Sequence, residues 1–215
     1  MKVLSVSDVV DPLVYTKSLP ERFGDVDLVI SSGDLPYYYL EFIVTMLHVP
    51  LFFVRGNHAP MKKPWEREHP LPQGCVNLDQ RVLNYRGLLI AGLEGSMKYS
   101  DRGIAQYTEG EMRLKVARLI PHLLWNKLRE GRYLDVLVTH APPFGIHDKP
   151  DRCHTGFKVF NWFIETFRPQ YLIHGHVHLS GYHRPEDVLV KVGDTWVLNT
   201  YGHRVTEISP KGREA

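Results

Sequence analysis

Cysteine is scarce in this chain: among 215 residues only Cys75 and Cys153 carry a thiol. Two cysteines are too few for a disulfide framework, and they read as free thiols in a reducing compartment. Long apolar runs are missing too; none approaches the roughly 20 residues that a membrane-spanning helix needs. The opening MKVLSVSDVVD has one Lys and a short apolar stretch, not the longer apolar region and small-residue cleavage site of a secretory signal. It reads as a first β-strand, and the protein as cytoplasmic with no membrane partner. No excess of one charge exists: 26 Lys and Arg face 24 Asp and Glu, a net charge of +2, which gives no electrostatic case for nucleic acid. The basic stretch Met61 to Arg67 is short and mixed in sign, a solvated loop rather than a nucleic-acid patch. Internal repeats, low-complexity tracts and linkers are absent, so residues 1–215 read as a single domain large enough to close its own core.

Histidine, by contrast, is plentiful. Twelve are present, and their positions matter more than their number. Short apolar runs recur and end abruptly in polar residues: Val3 to Val6, Leu28 to Ser31, Leu51 to Val54, Leu134 to Val138 and Tyr171 to Ile173. Continuous runs of this length are the mark of strands buried on both faces. Their ends read Ser7-Asp8, Gly33-Asp34, Gly56-Asn57-His58, Thr139-His140 and Gly175-His176-Val177-His178. Open α/β sheets bind ligands at the C-terminal strand edge, so these side chains should converge. Carboxylates and imidazoles suit divalent cations, and a central Asp can bridge two ions about 3.5–4 Å apart.

Helical spacing marks Tyr39 to His48 and Phe157 to Phe167, the second stopped by Pro169. Glu109 to Glu130 carries Met112, Val116, Leu119, Leu123 and Leu124 on one stripe, with a kink or break expected at Pro121. Short strands are expected at Arg81 to Asn84, Leu88 to Leu93, Val188 to Val192, Thr195 to Asn199 and Val205 to Ile208. The mixture points to two packed sheets flanked by helices rather than a simple doubly wound sheet.

In order and spacing the five strand ends resemble the motifs of the calcineurin-like metallophosphoesterase superfamily, D-x-H, G-D, G-N-H-D/E, H and G-H-x-H. The resemblance runs from about residue 3 to residue 205 and implies a four-layer α/β/β/α sandwich. It also implies one or two divalent transition metals, Mn or Fe foremost and Zn as an option. Carried over, Asp34 is the bridging carboxylate; Asn57, His140 and His176 complete one metal's shell, while Asp8 and His178 serve the other. His58 is no ligand, but stands beside the reacting phosphate to stabilise charge or protonate the leaving oxygen. Two positions depart from the motifs. Val10 stands where D-x-H places its histidine, so the metal at Asp8 loses an imidazole; Asp11 is nearby without matching the motif. Ala59 follows His58 in place of the acidic residue.

The reaction so implied is hydrolysis of a phosphomonoester or phosphodiester of a small molecule by metal-activated water. A nuclease, or a weakened metal-binding scaffold on the same fold, is the alternative. Around the centre, Arg55 is a candidate phosphate contact or a structural ion pair. His154, just before a helix whose amides favour anions, is a candidate substrate contact or an ordinary helix-start residue. Glu94, between two glycines, reads as a turn carboxylate, with shaping of the pocket as the alternative. His174 reads as a support for the ligands, with a direct ligand role as the alternative, and His147 lies in a loop placed to overhang the site. Of Tyr37, Tyr38 and Tyr39, at least two are expected in the core or a subunit contact. His48, His69, His122 and His203 have no companion groups in sequence and read as structural. The expected partner is a small phosphorylated substrate, with a homo-oligomer open.

Overall fold

The structure, a computed structural model, describes residues 1–58, 71–101, 103–179, 181 and 183–210. Ala59, His69 and the Met61 to Arg67 stretch lie outside the described residues. The first half of the chain runs β1 (Lys2–Ser7), α1 (Leu19–Phe23), β2 (Leu28–Ser31), α2 (Tyr37–Leu47), β3 (Leu51–Phe53) and β4 (Cys75–Asn77). Next come β5 (Val82–Tyr85), β6 (Leu88–Leu93), β7 (Ser96–Met97), β8 (Gln106–Tyr107), α3 (Glu109–Glu130) and β9 (Val136–Thr139). The chain closes with α4 (Lys158–Phe167), β10 (Tyr171–His174), α5 (Pro185–Val188), β11 (Leu189–Val192), β12 (Thr195–Asn199) and β13 (Gly202–Glu207).

Two sheets result, in the orders β13-β1-β2-β3-β4 and β11-β12-β10-β9-β6-β5, beside a two-stranded β7-β8 pair. The central strands of each sheet are parallel, and antiparallel strands close β1, β6 and β12 at the margins. Alternation of side chains along each strand explains why these strands are apolar throughout. Val3, Leu28, Ile30 and Phe52 point from the first sheet to Ile90, Val136, Val138 and Ile173 of the second. Their neighbours Leu4, Val29, Leu51 and Phe53 turn the other way, onto Leu19 of α1 and Tyr39, Leu40 and Ile43 of α2. Leu89, Ala91, Leu137 and Leu172 likewise back onto α3 and α4. Three apolar layers therefore separate four layers of secondary structure, α/β/β/α.

Two details of α3 differ from the sequence reading. The helix runs through Pro121 without a break. Leu124 faces solvent at 54% exposure while Lys115 is buried at 5%. Leu124 follows Leu123 by about 100° of helical turn and so leaves the stripe, and Lys115 comes inside because carboxylates wait for it there. No described helix is long and apolar enough to cross a membrane.

Candidate metal centre

The C-terminal ends of β1, β2, β3, β9 and β10 meet at one rim of the two sheets. Backbone bonds tie them: Asp8 N–H donates to the Gly33 carbonyl at 3.1 Å, and Gly175 N–H to the His140 carbonyl at 3.0 Å. His176 N–H donates to both oxygens of Asp8 at 3.0 Å. Asp8, Asp34 and His176 all take left-handed backbone angles, with φ of 65°, 54° and 68°. That region is costly for residues with a Cβ and persists where surrounding structure imposes it, often at functional sites. Glycine serves here mainly for closeness: a Cβ on Gly56 would fall 1.9 Å from Asp34 Oδ1.

Asp34, His140 and His176 each present one ligand-type atom, all within 4.8 Å of one another. Their remaining polar atoms are largely committed elsewhere. His140 Nδ1–H donates to the Ser32 carbonyl at 2.7 Å, turning Nε2 to Asn57 Oδ1 at 2.9 Å and Asp34 Oδ2 at 3.2 Å. His176 Nε2–H donates to the Cys153 carbonyl at 2.7 Å, leaving Nδ1 as the nitrogen able to ligate. Asn57 donates its amide to Tyr99 Oη at 3.0 Å, so its oxygen faces inward. Carbonyl partners of this kind fix the tautomer and orientation of metal-binding imidazoles. A buried carboxylate, an amide oxygen and two oriented imidazoles are a donor set that fits a divalent transition metal.

Electrostatics bind the same groups together. Burial opposes the Asp34 charge, but the charge of His140 and hydrogen bonds from His140 and His58 outweigh it and hold the carboxyl well below its usual range. Burial also opposes protonation of His140, and the Asp34 charge outweighs that in turn, pushing this imidazole up to about 9. His176, buried and facing the His140 charge, is pushed down to about 3.

Asp8 and His178 form a looser pair beside this trio. The Asp8 carboxyl is fully buried and raised by that burial, and it accepts from the Ser7 hydroxyl. His178 Nε2 stands 3.8 Å from Asp8 Oδ1 on a side chain 54% exposed, its ring tilted on Tyr201. Val10 packs toward the α2 layer. Asp11 does not stand in for the missing imidazole: it pairs with His203 Nδ1 at 2.6 Å and accepts from Leu13 N–H. His203 thus has a companion that its sequence neighbourhood did not reveal.

His58 sits outermost, 68% exposed. Its N–H donates to Asp34 Oδ1 at 2.9 Å and its Nδ1 lies 2.7 Å from Oδ2; that contact raises its pKa against the effect of partial burial. Arg55 is held in a two-pronged pair by Glu94, at 2.6 and 2.8 Å. Glu94 is therefore no simple turn carboxylate; it is buried at 2% exposure among Arg55, Tyr107 and Lys115. His154 Nδ1 pairs with Asp151 at 2.9 Å, its ring 5.2 Å from that of His176. The anion site expected at the start of α4 is already taken, because Glu109 accepts from Lys158 and Val159 N–H. His174 has both nitrogens engaged, by the Gly175 carbonyl and by His147 Nδ1. Tyr39 is fully buried, and Tyr38 packs on Tyr15. A cavity of about 570 Å³ opens beside His178, between the His147 loop and α5.

Residues 1–180 match the family described as calcineurin-like phosphoesterase. An uncharacterized protein of Methanocaldococcus jannaschii, MJ1162, is 28% identical over 130 residues, which are 58% of this chain and 53% of that one. This chain thus spans about half the length of the curated relative it matches. Among solved structures, TT1561 of Thermus thermophilus superposes with a TM-score of 0.56 at 13% identity, over 94% of this chain and 89% of that one. The phosphopantetheinyl hydrolase of Mycobacterium tuberculosis does so with 0.54 at 12% identity, over 93% and 88%. At such identities these likenesses show the fold. The family match covers most of the sequence and every strand end that carries the Asp, Asn and His set, and this chain belongs to the calcineurin-like phosphoesterase family.

Proposed function

We propose that the chain is a metal-dependent phosphoesterase that hydrolyses a phosphomonoester or phosphodiester of a small molecule. The observation carrying this reading is the buried Asp34, His140 and His176 trio, closed by the inward oxygen of Asn57. In this reading those four residues hold one divalent ion, with Mn or Fe favoured and Zn compatible with the same donors. Asp8 and His178, sharing Asp34, hold a second ion more weakly, because Val10 supplies no imidazole and His178 is exposed. Such ions supply, when bound, Lewis-acid polarisation of phosphoryl oxygens and activation of water.

The chain's own groups supply the rest. Asp34 lies 2.7 Å from Nδ1 of His58 and raises its pKa, which favours the protonated ring and leaves Nε2–H free to serve the departing oxygen. Arg55, still 44% exposed while paired, and His154 are the proposed contacts to substrate oxygens. The cavity beside His178 is lined by Lys149 and Arg184 but also by Asp148, Glu186 and Asp187. Its size and mixed charge favour a small molecule over a polynucleotide, which needs a continuous basic track. Free, half-buried Cys75 and Cys153 support a cytoplasmic location.

The test is hydrolysis of p-nitrophenyl phosphate and bis-p-nitrophenyl phosphate with added Mn, by wild type, His176→Ala and His58→Ala. Turnover that needs Mn and falls about 10²-fold or more in each variant is expected. Bound metal without turnover on either ester overturns the enzyme in favour of a metal-holding scaffold.

A further inference from the structure

We infer that Glu94 is a positioning residue for the metal centre, the hub of a buried charge network that fixes the Gly56-Asn57 turn from behind. The inference rests on the metal-site reading above. Glu94 follows the last residue of β6 with its carboxylate gripped by Arg55 Nε and Nη2, at 2.6 and 2.8 Å, and by Tyr107 Oη at 2.7 Å. Lys115, buried in the second turn of α3, places Nζ 3.6 Å from Glu94, 2.9 Å from Asp79 Oδ2 and 4.0 Å from the centre of the Tyr107 ring. Asp79 Oδ1 closes the circuit by accepting Glu94 N–H at 3.0 Å. Two cations and two carboxylates thus neutralise one another, with Glu94, Asp79 and Lys115 shielded from water and Arg55 reaching the surface.

A buried network of this kind is weak evidence for stability, since well-packed apolar residues often do as well or better. Its location is more telling. Arg55 immediately precedes Gly56-Asn57, and its carbonyl accepts Gly95 N–H at 2.9 Å. The Gly95 carbonyl in turn accepts Ala141 N–H at 3.3 Å, one residue beyond His140. Glu94-Gly95 therefore holds the Asn57 turn by side chain and backbone together, and the His140 strand end by backbone. On the near side of that grip Asn57 Oδ1 and His140 Nε2 lie 2.9 Å apart. Gly95 suits the point where they meet: its φ is +86°, and a Cβ there would fall 2.0 Å from the Ala105 carbonyl oxygen. Without the Glu94 charge, Arg55 is free to leave its bidentate pose, and the amide oxygen two residues on loses its fixed aim.

The experiment is a double-mutant cycle on Mn²⁺ affinity, measured by calorimetry on the full chain with Glu94→Gln, Asn57→Ala and the pair, thermal melts reporting the fold. Glu94→Gln keeps the shape and removes the charge. A residue orienting a ligand shifts metal affinity about 10–100-fold, so that loss is expected in the single variant. On the Asn57→Ala background the same change should cost less than about threefold, because Glu94 acts through Asn57. Wild-type affinity in Glu94→Gln, or losses that multiply in the double variant, would overturn the inference. If Glu94→Gln does not fold, Tyr107→Phe removes one bond to the carboxylate and keeps Arg55; a loss of about threefold, absorbed by Asn57→Ala, is then expected, and an unchanged Kd overturns it. A wild type that binds no Mn²⁺ overturns instead the metal-site reading beneath it, a pattern separable from the others.

Discussion

His140 lies fully buried between the Ser32 carbonyl, the Asn57 amide oxygen and the Asp34 carboxylate, and the Asp34 charge favours its protonated form. Its pKa rises from 6.5 to about 9, because the Asp34 charge outweighs the cost of burying an imidazolium. A raised value means that the His140 contribution to stability is complete below pH 6.5 and is lost as pH climbs through about 9, whereas the lowered Asp34 carboxyl contributes above about pH 3.8 and loses that as pH falls. Metal uptake at pH 7.5 must then expel a proton. Calorimetry in buffers of different ionisation enthalpy should find about one proton released per ion at pH 7.5, falling toward none above pH 10; release that does not change with pH would be inconsistent with this charge state. Sequence reading found His140 itself, since a Thr-His step after a buried strand is visible in the order of residues. It could not find the Ser32 and Cys153 carbonyls that aim His140 and His176, because every residue has a carbonyl. The partners of Glu94 and His203 were missed for a related reason: Arg55, Lys115 and Asp11 are distant from them in sequence.

Elements were more legible than contacts between them. Strands β1, β2, β3, β9 and β10 must be apolar on both faces to sit between layers, so their runs stood out, with β2 found at its observed bounds. The short β4, α1 and the β7-β8 pair escaped, being too brief to show a period. Helix α3 shows what a local signal determines and what it leaves to packing. Thr108 accepts from Glu111 N–H while the Glu111 carboxylate accepts from Thr108 N–H, a reciprocal cap that the T-x-x-E spacing encodes. Thr108→Ala should lower stability by about 1 kcal/mol in urea denaturation, with the slope unchanged; no shift in midpoint would show that packing against α4 alone sets the start of this helix. The inward turn of Lys115 and the unbroken run through Pro121 depend on neighbours that helical periodicity does not contain.

At the scale of the whole molecule, the proposed ion joins two halves. Asp34 and Asn57 come from strand ends of one sheet and His140 and His176 from the other, above an apolar layer they share. Two packed sheets flanked by helices followed from the mixture of strand and helix patterns and the four layers from the resemblance, and the alternating side chains of β1, β2 and β6 bear both out. The convergence of the ligand-type residues is a property of that architecture rather than of any segment. It is also what the functional account depends on. The most direct test is therefore to load the full chain with Mn²⁺, remove free metal by desalting, and count retained ions by mass spectrometry for wild type and His176→Ala. The account predicts about one tightly held ion per wild-type chain and less than about a tenth of that in the variant, as loss of one of few ligands requires. A wild type that retains none, or a variant that retains as much, would contradict it.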